Sequence, residues 1–121
     1  MRISNLNEIV NECEAKMEEI LESKKCKTLY ELDGLTDINS YTEQLEYRKY
    51  KFARNIVCEL DESESFAKWF AKWFQKPSTR GNFCLGKDFG GIGNLNAFKF
   101  LVEKGIHIPN ETIRMIENKL K

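Results

Sequence analysis

The sequence has a single histidine, His107, and only two prolines among its 121 residues. With one histidine, neither a serine–histidine–aspartate triad nor a cysteine–histidine pair can be argued from spacing. His107 lies between two isoleucines, which is typical of a packing or surface residue, and the paired carboxylates lie on faces predicted to be solvated. The sequence therefore indicates a protein that is not an enzyme.

The sequence also lacks a recognisable metal-binding motif. Its four cysteines are Cys13, Cys26, Cys58 and Cys84. No two of them form a Cys-x-x-Cys pair, and free thiols are the favoured interpretation, with a four-cysteine zinc site or two disulfides left open. We expect no bound metal and no cofactor.

Net charge and long hydrophobic runs are absent as well. The 19 basic and 19 acidic residues cancel, so no overall field directs the protein to nucleic acid or to a membrane surface. Residues 1–8 contain no apolar stretch typical of a signal peptide, and no uncharged run approaches 20 residues. We therefore expect no membrane association and a cytoplasmic location.

Aromatic residues, in contrast, are concentrated in one place. Residues 66–74 carry five aromatic rings, while Lys68 and Lys72 fall together on one arc of a helical projection. Pro77 would stop the helix. This pattern predicts a helix over 64–76 that forms the centre of the core, or one that exposes part of its aromatic arc to a partner.

Apolar residues at helical spacing predict the remaining elements. Four helices are expected near 5–23, 41–60, 94–104 and 110–120, with a short helical turn over 28–32 that ends at Gly34. The predicted fold is therefore all-α: one compact domain over 1–121, a bundle of four to five helices around the central aromatic helix. The wide apolar arc leaves both a monomer and a homodimer open.

The helix over 41–60 begins with a predicted capping box, Ser40 with Glu43. The predicted inward face comprises Tyr41, Leu45, Phe52, Ala53, Ile56, Val57 and Leu60. The predicted outward face comprises Gln44, Tyr47, Arg48, Lys51, Arg54 and Asn55. Cations and rings alternate along it, which is typical of a surface that contacts phosphates or a partner protein. The candidate contact residues are Tyr47, Arg48, Lys51 and Arg54. Alternatively, these cations could pair with the acidic face of the first predicted helix. That acidic face could itself be solvated or could bind a basic partner.

Five of the seven glycines lie in residues 77–93. This segment fits a long loop or a small β-hairpin within 81–90 equally well. Glycines ahead of a helix beginning near Asn94 would present backbone N–H groups to an anion. The candidate anion-binding residues are Arg80, Lys87, Gly90, Gly91, Gly93 and Asn94. Their spacing matches neither a P-loop nor a dinucleotide-binding fingerprint.

Gly105, a typical helix C-cap residue, separates the last two predicted helices. Such a pair can form a helix-turn-helix, with Asn110, Glu111, Thr112 and Arg114 reaching bases. Ile108 and Pro109 lengthen the turn beyond the three or four residues of that motif, so an ordinary helical hairpin is favoured.

These observations lead to one functional hypothesis and two alternatives. The hypothesis is a small, non-enzymatic adaptor or inhibitor that binds a larger protein. Its size and its lysine-, asparagine- and isoleucine-rich composition are typical of AT-rich bacteria and their phages, so an anti-CRISPR-like protein is one concrete form. The alternatives are nucleic-acid binding, through residues 44–55 or the C-terminal helices, and nucleotide or anion binding at residues 80–94.

Overall fold

The fold is known here from a computed structural model, which describes residues 3–60, Lys68 and residues 89–119. Five helices are described: α1 Ile3–Ser23, α2 Leu29–Asp33, α3 Ile38–Glu59, α4 Phe89–Glu103 and α5 Asn110–Lys119. No strand occurs in them, and the helices pack against one another. The prediction of an all-α bundle is confirmed at this level.

Two finer predictions fall mainly outside the described residues. The aromatic helix over 64–76 is described only at Lys68, so its place in the core stays a prediction. The hairpin over 81–90 is described only at Phe89 and Gly90, and both of these belong to α4.

Helix α1 buries the apolar stripe that its sequence predicts. Leu6, Ile9, Cys13 and Met17 recur at intervals of three and four and are each less than one-tenth exposed. They pack against α3, which also contacts α2 and α4. Among the described elements, α3 therefore contacts three of the other four helices, and α5 packs against α4.

Helix α3 begins at Ile38, three residues before the predicted start, so the capping box of Ser40 and Glu43 is wrong. Asp37 is the N-cap residue, and the Ser40 hydroxyl donates a hydrogen bond of 2.8 Å to its Oδ1 atom. This hydrogen bond is the main cause that lowers the pKa of Asp37. Ser40 is buried, so it lies inside the helix and not at its boundary.

The predicted inward and outward faces of α3 are also partly wrong. Tyr41, predicted inside, is 48% exposed, whereas Gln44 and Tyr47, predicted outside, are buried. The reason is tertiary, because neighbouring helices cover side chains that would face water on an isolated helix. Gln44, for example, donates hydrogen bonds to carbonyls of the α2 segment.

Helix α4 begins at Phe89, five residues before the predicted start near Asn94, so three glycines lie inside it. Each glycine in a helix costs about 1 kcal/mol relative to alanine, which is why the sequence pattern favours a loop. Gly93 has a packing reason to be there. A Cβ atom at this position would lie 2.9 Å from Cε2 of Phe52 and 3.0 Å from Cβ of Arg48, so its absence lets α4 approach α3 closely.

Helices α1 and α4 end with the same C-terminal cap. After α1, the N–H of Cys26 donates to the carbonyl of Leu21 at 2.9 Å, with Lys25 at φ 57°. After α4, the N–H of Ile106 donates to the carbonyl of Leu101 at 3.0 Å, with Gly105 at φ 94°. Both are Schellman motifs, and the predicted Gly105 cap is confirmed. Lys25 occupies a left-handed conformation that favours glycine.

We expect Lys25→Gly to raise the free energy of unfolding by about 1 kcal/mol, because glycine removes the steric cost of the left-handed conformation. Gly105→Ala should lower it by about as much for the converse reason. Urea unfolding followed by circular dichroism measures both changes. Lys27→Gly is the matched control, since Lys27 is exposed and has a negative φ. Equal effects of Lys25→Gly and Lys27→Gly would contradict the prediction.

We expect Gly93→Ala to destabilise the protein by about 1 kcal/mol, because the clash with Phe52 and Arg48 outweighs alanine's better helix propensity. Phe52→Leu should reduce this penalty, which a double-mutant cycle on unfolding free energies measures. A gain of stability in Gly93→Ala alone would show that the helices do not approach closely at this position.

Candidate functional site

Hydrogen bonds and an ion pair hold α2 against α3 at the corner between the two helices. Helix α2 has only five residues, too few to be stable alone. Its N-terminus is capped: the N–H of Glu31 donates to Oγ1 of Thr28, and the N–H of Lys27 donates to Oε2 of Glu31, each at 3.2 Å. Leu32 is fully buried and anchors the helix in the core.

Two polar side chains of α3 fix the position of α2. The Gln44 amide donates hydrogen bonds to the carbonyls of Leu32 at 2.9 Å and Leu35 at 3.0 Å. The Arg48 guanidinium donates two hydrogen bonds to the carboxylate of Asp33, at 2.9 and 2.7 Å. A buried amide and a bidentate ion pair both require defined geometry, so α2 is held in one orientation on α3.

This corner presents apolar side chains to solvent. Tyr30 is 88% exposed on α2, Ile38 is 79% exposed in the first turn of α3, and Tyr41 is 48% exposed one turn later. We call these three residues the α2–α3 apolar surface. Ile38 and Tyr41 are three residues apart and therefore adjacent on α3. Single exposed apolar residues are common on proteins, whereas large apolar side chains that lie together are typical of a contact surface.

Sequence reasoning missed this surface. The spacing of Leu29, Leu32 and Leu35 indicates which side of α2 is buried, and the same spacing leaves Tyr30 on the outer side. Ile38 was not placed on a helix, because α3 was predicted to begin three residues after it. The leucine spacing is a local signal for Tyr30, whereas the exposure of Ile38 could be predicted only with the correct start of α3.

The structure divides the four residues of the predicted basic face. Tyr47 is buried, and Arg48 is partly buried and bonded to Asp33. Lys51 and Arg54 are partly exposed further along α3, where the Arg54 guanidinium donates to Oδ1 of Asn55 at 3.1 Å. The four residues therefore share one helix, but they do not form one exposed cationic surface.

The predicted anion-binding residues are also divided. Arg80 and Lys87 lie outside the described residues. Gly90 and Gly91 belong to the first turn of α4, whereas Gly93 and Asn94 lie in its second turn and are both buried. In the second turn the backbone N–H groups point to carbonyls of the preceding turn and not toward a ligand.

The groove between α1 and α3, about 270 Å³ in volume, carries acidic residues that have lysines nearby. Each glutamate of the groove forms an ion pair with a lysine: Glu19 with Lys16 at 3.9 Å, Glu43 with Lys24 at 3.8 Å and Glu46 with Lys49 at 3.3 Å. These contacts balance the charge of the groove, so it does not present an excess of negative charge to a cation.

Neither the described cysteines nor His107 forms a metal site. Cys13, Cys26 and Cys58 are free thiols, and within residues 3–60 and 89–119 no group of three metal-ligating side chains comes together. Burial is the largest cause that raises the pKa of Cys13 to about 11, while Cys58 is exposed. His107 is exposed.

The last two helices form the predicted hairpin. Six residues, 104–109, connect α4 to α5, which is longer than the turn of a helix-turn-helix. Lys99 and Glu117 form an ion pair of 3.3 Å between the helices, and Ile116 is fully buried. Asn110, Glu111 and Arg114 are exposed on the outer side of α5.

We expect Gln44→Met to destabilise the protein by about 1–3 kcal/mol, because it removes the donor that satisfies the carbonyls of Leu32 and Leu35. Urea unfolding measures this change. Asn39→Met is the matched control on the same helix, because Asn39 is exposed, and it should alter stability by less than about 0.5 kcal/mol. Similar losses in both variants would show that the Gln44 contacts do not hold α2.

We expect Cys58 to react with iodoacetamide at pH 8 at least about tenfold faster than Cys13, because the thiolate is the reactive form and Cys13 is both buried and protonated. Mass spectrometry of peptides after timed labelling measures the two rates. Labelling in urea is the control, and there the two rates should converge. Equal rates in the folded protein would contradict the burial of Cys13.

Among the residues described, no helix is both long and apolar enough to span a membrane.

Comparisons with known proteins add no further assignment. Searches with the sequence against protein-family models and curated proteins, and a search against solved structures, return no match.

Proposed function

We propose that this chain is a small non-enzymatic protein that binds a larger protein, as an adaptor or an inhibitor. The observation that carries the proposal is the exposure of Tyr30 and Ile38 on the α2–α3 apolar surface. Burying a large apolar side chain contributes about 1.5–3 kcal/mol, so these two residues would add to the affinity of a larger interface around them. Tyrosine is also enriched among residues that dominate protein interfaces.

The rigidity of the corner supports the same proposal. Binding costs conformational entropy whenever a flexible segment has to be ordered. Here Gln44 and the ion pair of Arg48 with Asp33 already hold α2 against α3. A partner would therefore meet Tyr30 and Ile38 on a backbone that is fixed before binding.

The narrower form of the proposal is an inhibitor that phages or mobile elements use against a bacterial defence system, as anti-CRISPR proteins do. Its support is the composition and the all-α fold of the described residues, together with the exposed apolar side chains of the α2–α3 apolar surface. An inhibitor of this form would act by occupying a surface of its target.

Nucleic-acid binding has weaker support. Phosphate contact would require several free cations on one face, and salt-dependent affinity grows with their number. On α3, Arg48 is bonded to Asp33 and Tyr47 is buried, which leaves Lys51 and Arg54 as the candidates.

The decisive experiment is affinity purification from cells that express the protein, followed by mass spectrometry and by binding measurements with the purified partner. The variant is Tyr30→Ala with Ile38→Asp. The matched control is Val102→Asp, because Val102 is an apolar residue that is 43% exposed on a different helix, α4. We expect the double variant to lose at least about tenfold in affinity, or about 1.4 kcal/mol, and the control to bind like the wild type.

Circular dichroism must first show that both variants are folded. Three outcomes contradict the proposal: no stoichiometric partner, unchanged affinity in the double variant, or an equal loss in the Val102→Asp control. Oligonucleotide retention that weakens with salt, and that Lys51→Gln with Arg54→Gln abolishes, would support nucleic-acid binding in its place.

A further inference from the structure

We draw no further inference here: the strongest candidate, the solvent-facing acidic side of α1 with Glu8, Glu14, Glu18 and Glu22, is a cluster of acidic residues for which nothing in the described structure shows what covers it.

Discussion

Helix α3 contacts α1, α2 and α4, so some of its polar side chains are buried and must find partners within the protein. The buried Gln44 donates to two backbone carbonyls of the α2 segment, and the partly buried Arg48 donates to Asp33. The same contacts that satisfy α3 therefore position α2. A five-residue helix has little stability of its own, and it persists here because polar contacts and the buried Leu32 hold it.

The contact between α3 and α4 depends on shape and on charge. Gly93 allows the backbones to approach, and the Tyr50 and Phe100 rings meet edge to face with centroids 5.3 Å apart. Lys49 and Lys104 place their ammonium groups 5.6 and 5.4 Å from the centre of the Phe100 ring. Two cations on one ring would repel each other.

Each of these lysines also has a carboxylate, which reduces that repulsion: Glu46 lies 3.3 Å from Lys49, and Glu12 lies 2.7 Å from Lys104. Partial burial would lower the pKa of Lys49, but Glu46 and Tyr50 raise it overall, so the ammonium form is retained. Because Glu12 belongs to α1 and Lys104 directly follows α4, this pair also joins α1 to the C-terminal end of α4. The aromatic contact and the ion pairs thus connect three helices at one place.

Local sequence patterns predict parts of the core and of the helix ends, but they did not predict the α2–α3 apolar surface. The stripe of α1, the short α2 with its Gly34 end and the Gly105 cap were all predictable, because each depends on residues within one or two helical turns. The α2–α3 apolar surface was not predicted, because identifying it requires knowing which side of each helix another helix covers.

By itself the sequence determined that the described chain forms amphipathic helices, since apolar spacing and capping residues act locally. Tertiary structure decided where α3 and α4 begin and which face of α3 is buried. Helix α2 and the residues after it cover Gln44, and close packing against α3 offsets the cost of glycines such as Gly93 inside α4. Both effects come from contacts between residues distant in the chain, and no local pattern records them.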